Sequence, residues 1–365
     1  MNRLSDQEYM QLAIEEGRKS RLIAPPNPWV GCLIVQDGKI VGRGSSQPAG
    51  QAHAEIEALK NAGEQAQGGT AYVTLEPCSH QGQTPPCVDA LIRAKLKRIV
   101  IAIEDPDSQV NGNGIKHLKN AGIAVETGVC RDVAEQEFAA YLHHRKTGLP
   151  YCVLKCAISL DGRLCASDGS SQWISGKRSR KDAHQLRAQS QAIVVGSGTA
   201  IKDQPALTVR EVDGVVNPPL RVLLDGRGRT KATGPLFDLS LGPVLIYTTS
   251  KADQNTVTHW KKRGCEIVEV MASSLGEGVH LPQVLKDLGK RGVIQMLLEG
   301  GSSVYSQALE FDCVNLLCLY LGNCFIGNGK PAFNLTTIQT IQEAKKWHLD
   351  SVETLGETVK LCYSK

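Results

Sequence analysis

The chain has 365 residues, more than a single hydrophobic core usually serves, so its length points to two domains. With 41% hydrophobic and 21% charged residues it has an ordinary globular composition, and no apolar run approaches the roughly 18 residues of a bilayer span. A formal charge of +4 with 5% aromatic residues argues against a general nucleic-acid binder but leaves room for a local basic pocket.

The N-terminus carries acids and an amphipathic pattern rather than an apolar signal core, so the expected location is the cytoplasm. In that compartment the 12 cysteines need a reading other than disulfides. Cys152, Cys156, Cys265, Cys313 and Cys318 lie in apolar strand-like runs and read as small core hydrophobes. Cys78 and Cys87 lie in a Pro/Gly-rich loop, where that reading fails.

In chain order, residues 5–20 place Tyr9, Leu12, Ala13 and Ile14 at helical spacing behind Ser5 or Asp6 as N-cap. "CLIVQ" and "KIVGRG", separated by Asp-Gly, predict a hairpin. A helix starts near His53 and stops near Gly63, "TAYVTLE" is a strand, and "PPCVDALIRAKL" is a helix. "KRIVIAI" is a buried strand, "NGIKHLKNAG" a helix, "IAVETGV" a strand, and one helix covers 131–146. Gly148 and Pro150 punctuate the chain, giving expected domains 1–147 and 148–365, both α/β. In the second, strands are expected at 151–158, 192–196, 220–224, 243–247, 265–270, 293–298 and 314–321, with helices at 177–188, 253–263, 281–290 and 302–310.

Chemistry concentrates in two stretches, "HAE" at His53 to Glu55 and "PCSHQGQTPPC" at Pro77 to Cys87. Catalytic zinc usually takes three protein ligands and keeps a fourth position for water, and His53, Cys78 and Cys87 supply that count. Both cysteines sit near helix or strand ends, and a helix N-terminus favours thiolate. A structural zinc finger would close the site with a fourth ligand such as His80 and would need no acid. Glu55 is what discriminates, because hydrolysis needs a group that takes a proton from water and passes it to the leaving amine. His-x-Glu followed by Pro-Cys-x-x-Cys is the pattern of zinc nucleobase deaminases, here with eight residues between the cysteines.

"NPWVGCLIV", "HAEIEAL", "EPCSHQGQTPPC", "KCAISLDGRLCASDGSSQWISG", "GSGTAIKDQPALTVR" and "LLEGG" span nearly the whole chain. Together they resemble the bifunctional deaminase–reductase family of bacterial riboflavin biosynthesis. The resemblance implies a cytidine-deaminase-like three-layer domain followed by a dihydrofolate-reductase-like α/β domain. It implies zinc-dependent deamination of a phosphoribosylated diaminopyrimidinone, then NADPH reduction of the ribosyl side chain to ribityl. Homo-oligomers are expected, with neither nucleic acid nor membrane as a partner. Carried over residue by residue, Asn27 and His80 would contact substrate in the first domain, although Asn27 also reads as a turn residue before Pro28. Ser46 and Gln83 depart from the family pattern, which has a histidine and a basic residue there, and both are expected to border the deaminase pocket.

The second domain lacks a Gly-x-Gly-x-x-Gly fingerprint. "VGSGTAIKD" and "LLEGGSSVYSQAL" are instead Gly/Ser turns from strand to helix, each offering backbone N–H groups to phosphate. The resemblance assigns Ala157, Trp173, Thr199, Asp203, Gly226, Gly301, Ser302, Ser303, Val304, Tyr305, Ser306 and Gln307 to NADPH. Ser171, Arg187, Leu207, Arg210 and Glu299 are assigned to the ribosyl-phosphate substrate, with the two arginines suited to clamping phosphate. Trp173 reads equally as a core aromatic. Gln204 replaces the acid that usually follows Asp203, and Lys155 and Asp161 are expected to order the active-site strand.

Overall fold

The structure is a computed structural model that describes residues 4–82, 84–107, 110–276 and 278–365. It divides into two compact units, Met1–Gly148 and Leu149–Lys365. The first contains α1 (Asp6–Arg18), β1 (Gly31–Gln36), β2 (Lys39–Ser45), α2 (Ala54–Ala62), β3 (Thr70–Leu75) and α3 (Cys87–Arg93). It continues with β4 (Arg98–Ile103), α4 (Asn113–Asn120), β5 (Ala124–Thr127), α5 (Arg131–Glu137) and α6 (Ala139–Thr147). Its sheet has the order β2-β1-β3-β4-β5, with β1 antiparallel to both neighbours and β3, β4 and β5 mutually parallel.

Sequence chemistry explains the local starts. Ser5 caps α1 in a reciprocal capping box with Glu8, and Tyr9, Met10, Ala13 and Ile14 form its buried face. Parallel β4 lies at the centre of its run of strands and is apolar and buried after Arg98, as a strand covered on both sides must be. The single helix expected over 131–146 is two helices. The break falls at Phe138, which leaves helical geometry as its ring is buried against Trp29, with centroids 5.8 Å apart.

The second unit opens with β6 (Tyr151–Ile158), β7 (Arg163–Cys165), α7 (Lys177–Ala188), β8 (Ala192–Gly196), α8 (Ser197–Asp203) and β9 (Leu220–Leu224). Then follow β10 (Val244–Thr248), α9 (Gln254–Lys262), β11 (Glu266–Glu269), α10 (Leu281–Lys290), β12 (Gln295–Leu298) and α11 (Ser302–Glu310). The chain finishes with β13 (Leu316–Leu321), β14 (Lys330–Pro331), β15 (His348–Leu355) and β16 (Thr358–Ser364). Nine strands form one sheet, β11-β10-β9-β8-β12-β6-β13-β16-β15, parallel from β11 to β13 and antiparallel in the last two pairings. One face packs Leu154, Val194, Leu245, Met296 and Tyr305, and the other packs Ile193, Leu223, Ile246 and Trp260. The sequence reading covers the parallel strands and the strand-to-helix turn that opens α8, but not the β7–β14 pair or the β15–β16 hairpin. Every residue of β15 before Leu355 is exposed, so that strand carries no apolar pattern to detect.

Candidate functional site

His53 is the N-cap residue of α2, in extended backbone, and its side chain makes no capping hydrogen bond. The ring is turned instead toward two thiols: Nδ1 lies 3.2 Å from Cys87 Sγ and 3.6 Å from Cys78 Sγ. Cys87 is the first residue of α3, and its N–H donates to Cys78 Sγ at 3.4 Å. The three ligand atoms lie within 4.8 Å of one another, and among the described residues no other His, Cys, Asp or Glu joins them. His80 is therefore not a fourth ligand. One imidazole nitrogen and two thiols, with no fourth His, Cys, Asp or Glu among the described residues, fit zinc of the catalytic kind. The S–H of Cys87, the His53 ring and the Cys87 N–H pull Cys78 down to about 4, toward the thiolate, while donating that hydrogen bond, together with burial, pushes Cys87 up.

Glu55 is the second residue of α2, only 3% exposed. Burial and then the nearby Cys78 sulfur push its carboxyl up to about 7, while His53 acts in the opposite sense. A carboxyl so placed can both accept and return a proton near neutral pH. In the same unit, Trp29 is buried with its indole N–H unpartnered, and the Arg21 guanidinium stands 5.2 Å from its ring centroid. His80 likewise keeps a buried Nδ1 without a partner. Asn27 is half-buried and its N–H closes a turn onto the Ala24 carbonyl at 2.9 Å. Ser46 is buried: it donates to the Pro28 carbonyl at 2.8 Å and accepts the Val30 N–H at 3.0 Å, tying the end of β2 to the segment that carries Asn27. Gln83 lies outside the described residues.

In the second unit, β6, β12, β8 and β9 are parallel neighbours, so Ala157, Glu299 with Gly301, Thr199 and Gly226 all fall at or beyond the carboxyl ends of adjacent strands. That is where open α/β sheets bind ligands. The two Gly/Ser turns meet there. A Cβ on Gly196 would lie 2.6 Å from Val304 Cγ2, so only glycine lets α8 approach α11 this closely, and Gly301 faces the Thr199 hydroxyl. Gly301 is the N-cap of α11, and Ser302, Ser303, Val304, Tyr305, Ser306 and Gln307 form its first turns. Tyr305 OH donates to the Lys155 carbonyl at 2.7 Å, and Ser306 Oγ donates to the Ser302 carbonyl at 2.8 Å. Asp203 ends α8, exposed.

Trp173 is 68% exposed, which rules out the core-aromatic reading, and the Arg180 guanidinium stacks 4.2 Å from its ring centroid. Ser171 precedes it, half-buried, in the same turn. Arg187 departs from a simple phosphate clamp. Nε and Nη2 donate to the two Glu299 oxygens at 2.9 and 2.6 Å, and Nη1 donates to the Thr208 carbonyl at 3.0 Å. Burial would raise the Glu299 carboxyl, but the guanidinium outweighs it and holds that carboxyl below its ordinary value. Leu207 is buried in left-handed backbone, and Arg210 is exposed. Asp161 accepts from Ser159 Oγ and from the Ile326 and Gly327 N–H groups, which hold it down at about 2 and pin the turn after β6.

A family model described as "Cytidine and deoxycytidylate deaminase zinc-binding region" matches residues 3–103, and one described as "RibD C-terminal domain" matches residues 150–361. The riboflavin biosynthesis protein RibD of Chlamydia pneumoniae is 39% identical over all of this chain and 97% of its own length. The chain belongs to the RibD family. The Escherichia coli RibD is 36% identical over 98% of this chain and 99% of its own length. Among solved structures, Acinetobacter baumannii RibD superposes with a TM-score of 0.88 at 37% identity, covering 98% of each chain. A Thermotoga maritima protein described as a diaminohydroxyphosphoribosylaminopyrimidine deaminase/5-amino-6-(5-phosphoribosylamino)uracil reductase gives 0.86 at 29% identity, covering 98% of each. The fold is accordingly the RibD one: a cytidine-deaminase-like α/β domain with a zinc-binding region, followed by the RibD reductase domain, whose cofactor is NADPH.

Sequence reasoning missed how this RibD-family centre is held. Glu76, buried at the end of β3, accepts the N–H groups of Gly112 at 3.0 Å, Ile115 at 3.2 Å and Asp105 at 3.3 Å. It thereby ties the loop after β4 and the start of α4 against Pro77-Cys78. Gly114 completes that junction, since a Cβ there would stand 2.2 Å from the Pro77 carbonyl oxygen. An acid beside "PC" was visible in the sequence, but its three partners lie 29 to 39 residues away.

Proposed function

We propose that the chain catalyses two consecutive steps of riboflavin biosynthesis on one phosphorylated small molecule. The first unit deaminates 2,5-diamino-6-(phosphoribosylamino)pyrimidin-4-one, and the second reduces the resulting ribosyl side chain to ribityl with NADPH. The observation that carries the first half is Glu55, buried beside a three-donor His53–Cys78–Cys87 set. Zinc, when bound by those three residues, supplies the Lewis acidity that makes water a competent nucleophile near neutral pH. Glu55 accepts the proton at a carboxylate oxygen, delivers it to the ring nitrogen next to the carbon under attack, and returns a proton to the departing amine. Asn27 and His80 are the proposed substrate contacts, the latter through an imidazole with an uncommitted nitrogen.

NADPH, when bound, supplies the hydride of the second step. Ala157, Trp173, Thr199, Asp203, Gly226 and the run Gly301–Gln307 are proposed to hold it, supported by the two turns packed together at the strand ends. Ser171, Arg187, Leu207, Arg210 and Glu299 are proposed to line the substrate, with Glu299 oriented by Arg187 through two hydrogen bonds. The domain limits 1–147 and 148–365 follow the same reading. It extends to a homo-oligomer in the cytoplasm. The cytoplasmic part is supported by all 12 cysteines being free, as a reducing compartment keeps them. No helix among the described residues is long and apolar enough to cross a membrane.

The test is incubation of the whole chain with the diaminopyrimidinone phosphate, with and without NADPH, each product being identified by mass. Ammonia release and an unreduced deaminated product without NADPH, and a ribityl product with it, are expected. Reduction without prior deamination would overturn the order of the steps, and absence of both products would overturn the function.

A further inference from the structure

His184 lies on α7 one turn before Arg187, and the segment after α8 brings Arg210 beside it. The Arg210 backbone N–H donates to His184 Nδ1 at 3.1 Å. A nitrogen that accepts cannot carry the proton, so the neutral ring has its hydrogen on Nε2. His184 Nε2 then stands 3.5 Å from Arg210 Nη2, and both atoms are donors. Two donors facing one another at that distance do not satisfy each other, but they can share one acceptor.

The charges around the ring agree. Burial lowers the basicity of His184, Arg187 and Arg210 lower it further, and Glu299 and Glu211 only partly oppose them. The ring therefore stays neutral in the tautomer that presents Nε2–H. Arg187 spends its charge on Glu299, whereas none of the ion pairs among the described residues takes up Arg210. A guanidinium outside those ion pairs and an imidazole N–H fixed on Nε2 thus stand 3.5 Å apart, within the electrostatic reach of Arg187 and Glu299.

We infer that His184 Nε2–H and Arg210 Nη2–H together bind one anionic oxygen of the substrate's phosphate monoester, which makes His184 a binding residue of the reductase step. The inference rests on the proposed reading of the second unit. A phosphate monoester is also carried by NADPH on its adenosine ribose, and the experiment separates the two sources.

His184→Asn keeps an amide oxygen near Nδ1 to accept the Arg210 N–H and removes the distal donor, whereas His184→Gln restores a donor near Nε2. For the deaminated phosphoribosyl substrate, His184→Asn is expected to raise KM by about tenfold or more, the effect of one lost hydrogen bond to a charged group. kcat and the KM for NADPH should stay within about twofold, and His184→Gln should recover most of the loss. With the dephosphorylated substrate, wild type and His184→Asn should be alike. An unchanged KM, an equal loss on the dephosphorylated substrate, or a loss that appears in the KM for NADPH would each overturn the inference.

A second measurement does not depend on turnover. In the full-length protein the His184 ring resonance, identified by its absence in His184→Asn, is titrated against pH with and without inorganic phosphate. A bound anion favours the protonated ring, so phosphate should move the titration upward. No movement would overturn the site, and wild type failing to reduce the phosphoribosyl substrate would overturn the reductase reading while this titration still decides the anion site.

Discussion

At the scale of single residues, the most consequential group is Glu55. It is buried outside the His53–Cys78–Cys87 set, which is the placement the proposed proton carrier needs. Glu55→Gln keeps the shape and loses the base, so ammonia release should fall about a hundredfold to ten-thousandfold. NADPH oxidation with the deaminated intermediate supplied should be unchanged, and assaying both activities on one preparation checks this. Glu299 offers a pH prediction. Its folded-state carboxyl is held below its ordinary value by Arg187, so its contribution is complete above the ordinary carboxylate range and is lost as pH falls through the lowered value. The melting temperature of wild type should therefore drop more steeply than that of Glu299→Gln as pH is lowered from 6 to 3. The two should differ most near neutrality, where Gln leaves the Arg187 charge buried and unmatched; parallel acid limbs in thermal melts would count against this. The residue types in "HAE" and "PC" were legible because ligand chemistry is a property of the residue itself. What occupies Arg187 was not legible, since Glu299 lies 112 residues away.

At the scale of elements, the metal centre is assembled by starts and ends rather than by whole helices. His53 stands at the N-cap position of α2, Cys78 follows β3 and Cys87 opens α3, so its geometry depends on how firmly those ends are held. Glu76 holds one of them through three backbone N–H groups. Glu76→Ala would strand those donors in a buried place, at a cost of about 3 kcal/mol or more. The expected readouts are a lower melting temperature and fewer zinc ions bound per chain, with Glu76→Gln intermediate because it keeps one acceptor. Zinc content and melting equal to wild type in Glu76→Ala would rule out this holding role. The boundaries of most elements were readable from period and punctuation. The break at Phe138 was not, because it comes from an aromatic ring finding a partner in Trp29 over a hundred residues earlier in the chain. Nor was the β15–β16 hairpin, whose outer strand is held by pairing with its neighbour rather than by burial.

At the scale of the whole molecule, two compact units carry two different chemistries with different requirements. Removing zinc with a strong chelator should abolish deamination while leaving reduction of supplied intermediate intact, and re-adding zinc should restore the first activity. Simultaneous loss of both activities on chelation, measured as ammonia release and NADPH oxidation, would show that the two steps are not independent.

The sequence alone determined the division into two α/β parts, the parallel core strands and a candidate metal set, His53, Cys78 and Cys87, with Glu55 two residues from the histidine. Each of these follows from local pattern: hydrophobic period, Gly/Pro punctuation, and side chains whose chemistry does not depend on their neighbours. Only the tertiary structure decided that His80 stays out of the ligand set, that Ser46 is a buried tie, that Trp173 faces solvent and that Arg187 is engaged by Glu299. It also decided that Arg210 lies against His184, its backbone N–H on Nδ1 and its Nη2 3.5 Å from Nε2. These are relations between residues far apart in the chain, set by which strand ends the sheet brings side by side, and spacing along a sequence does not encode them.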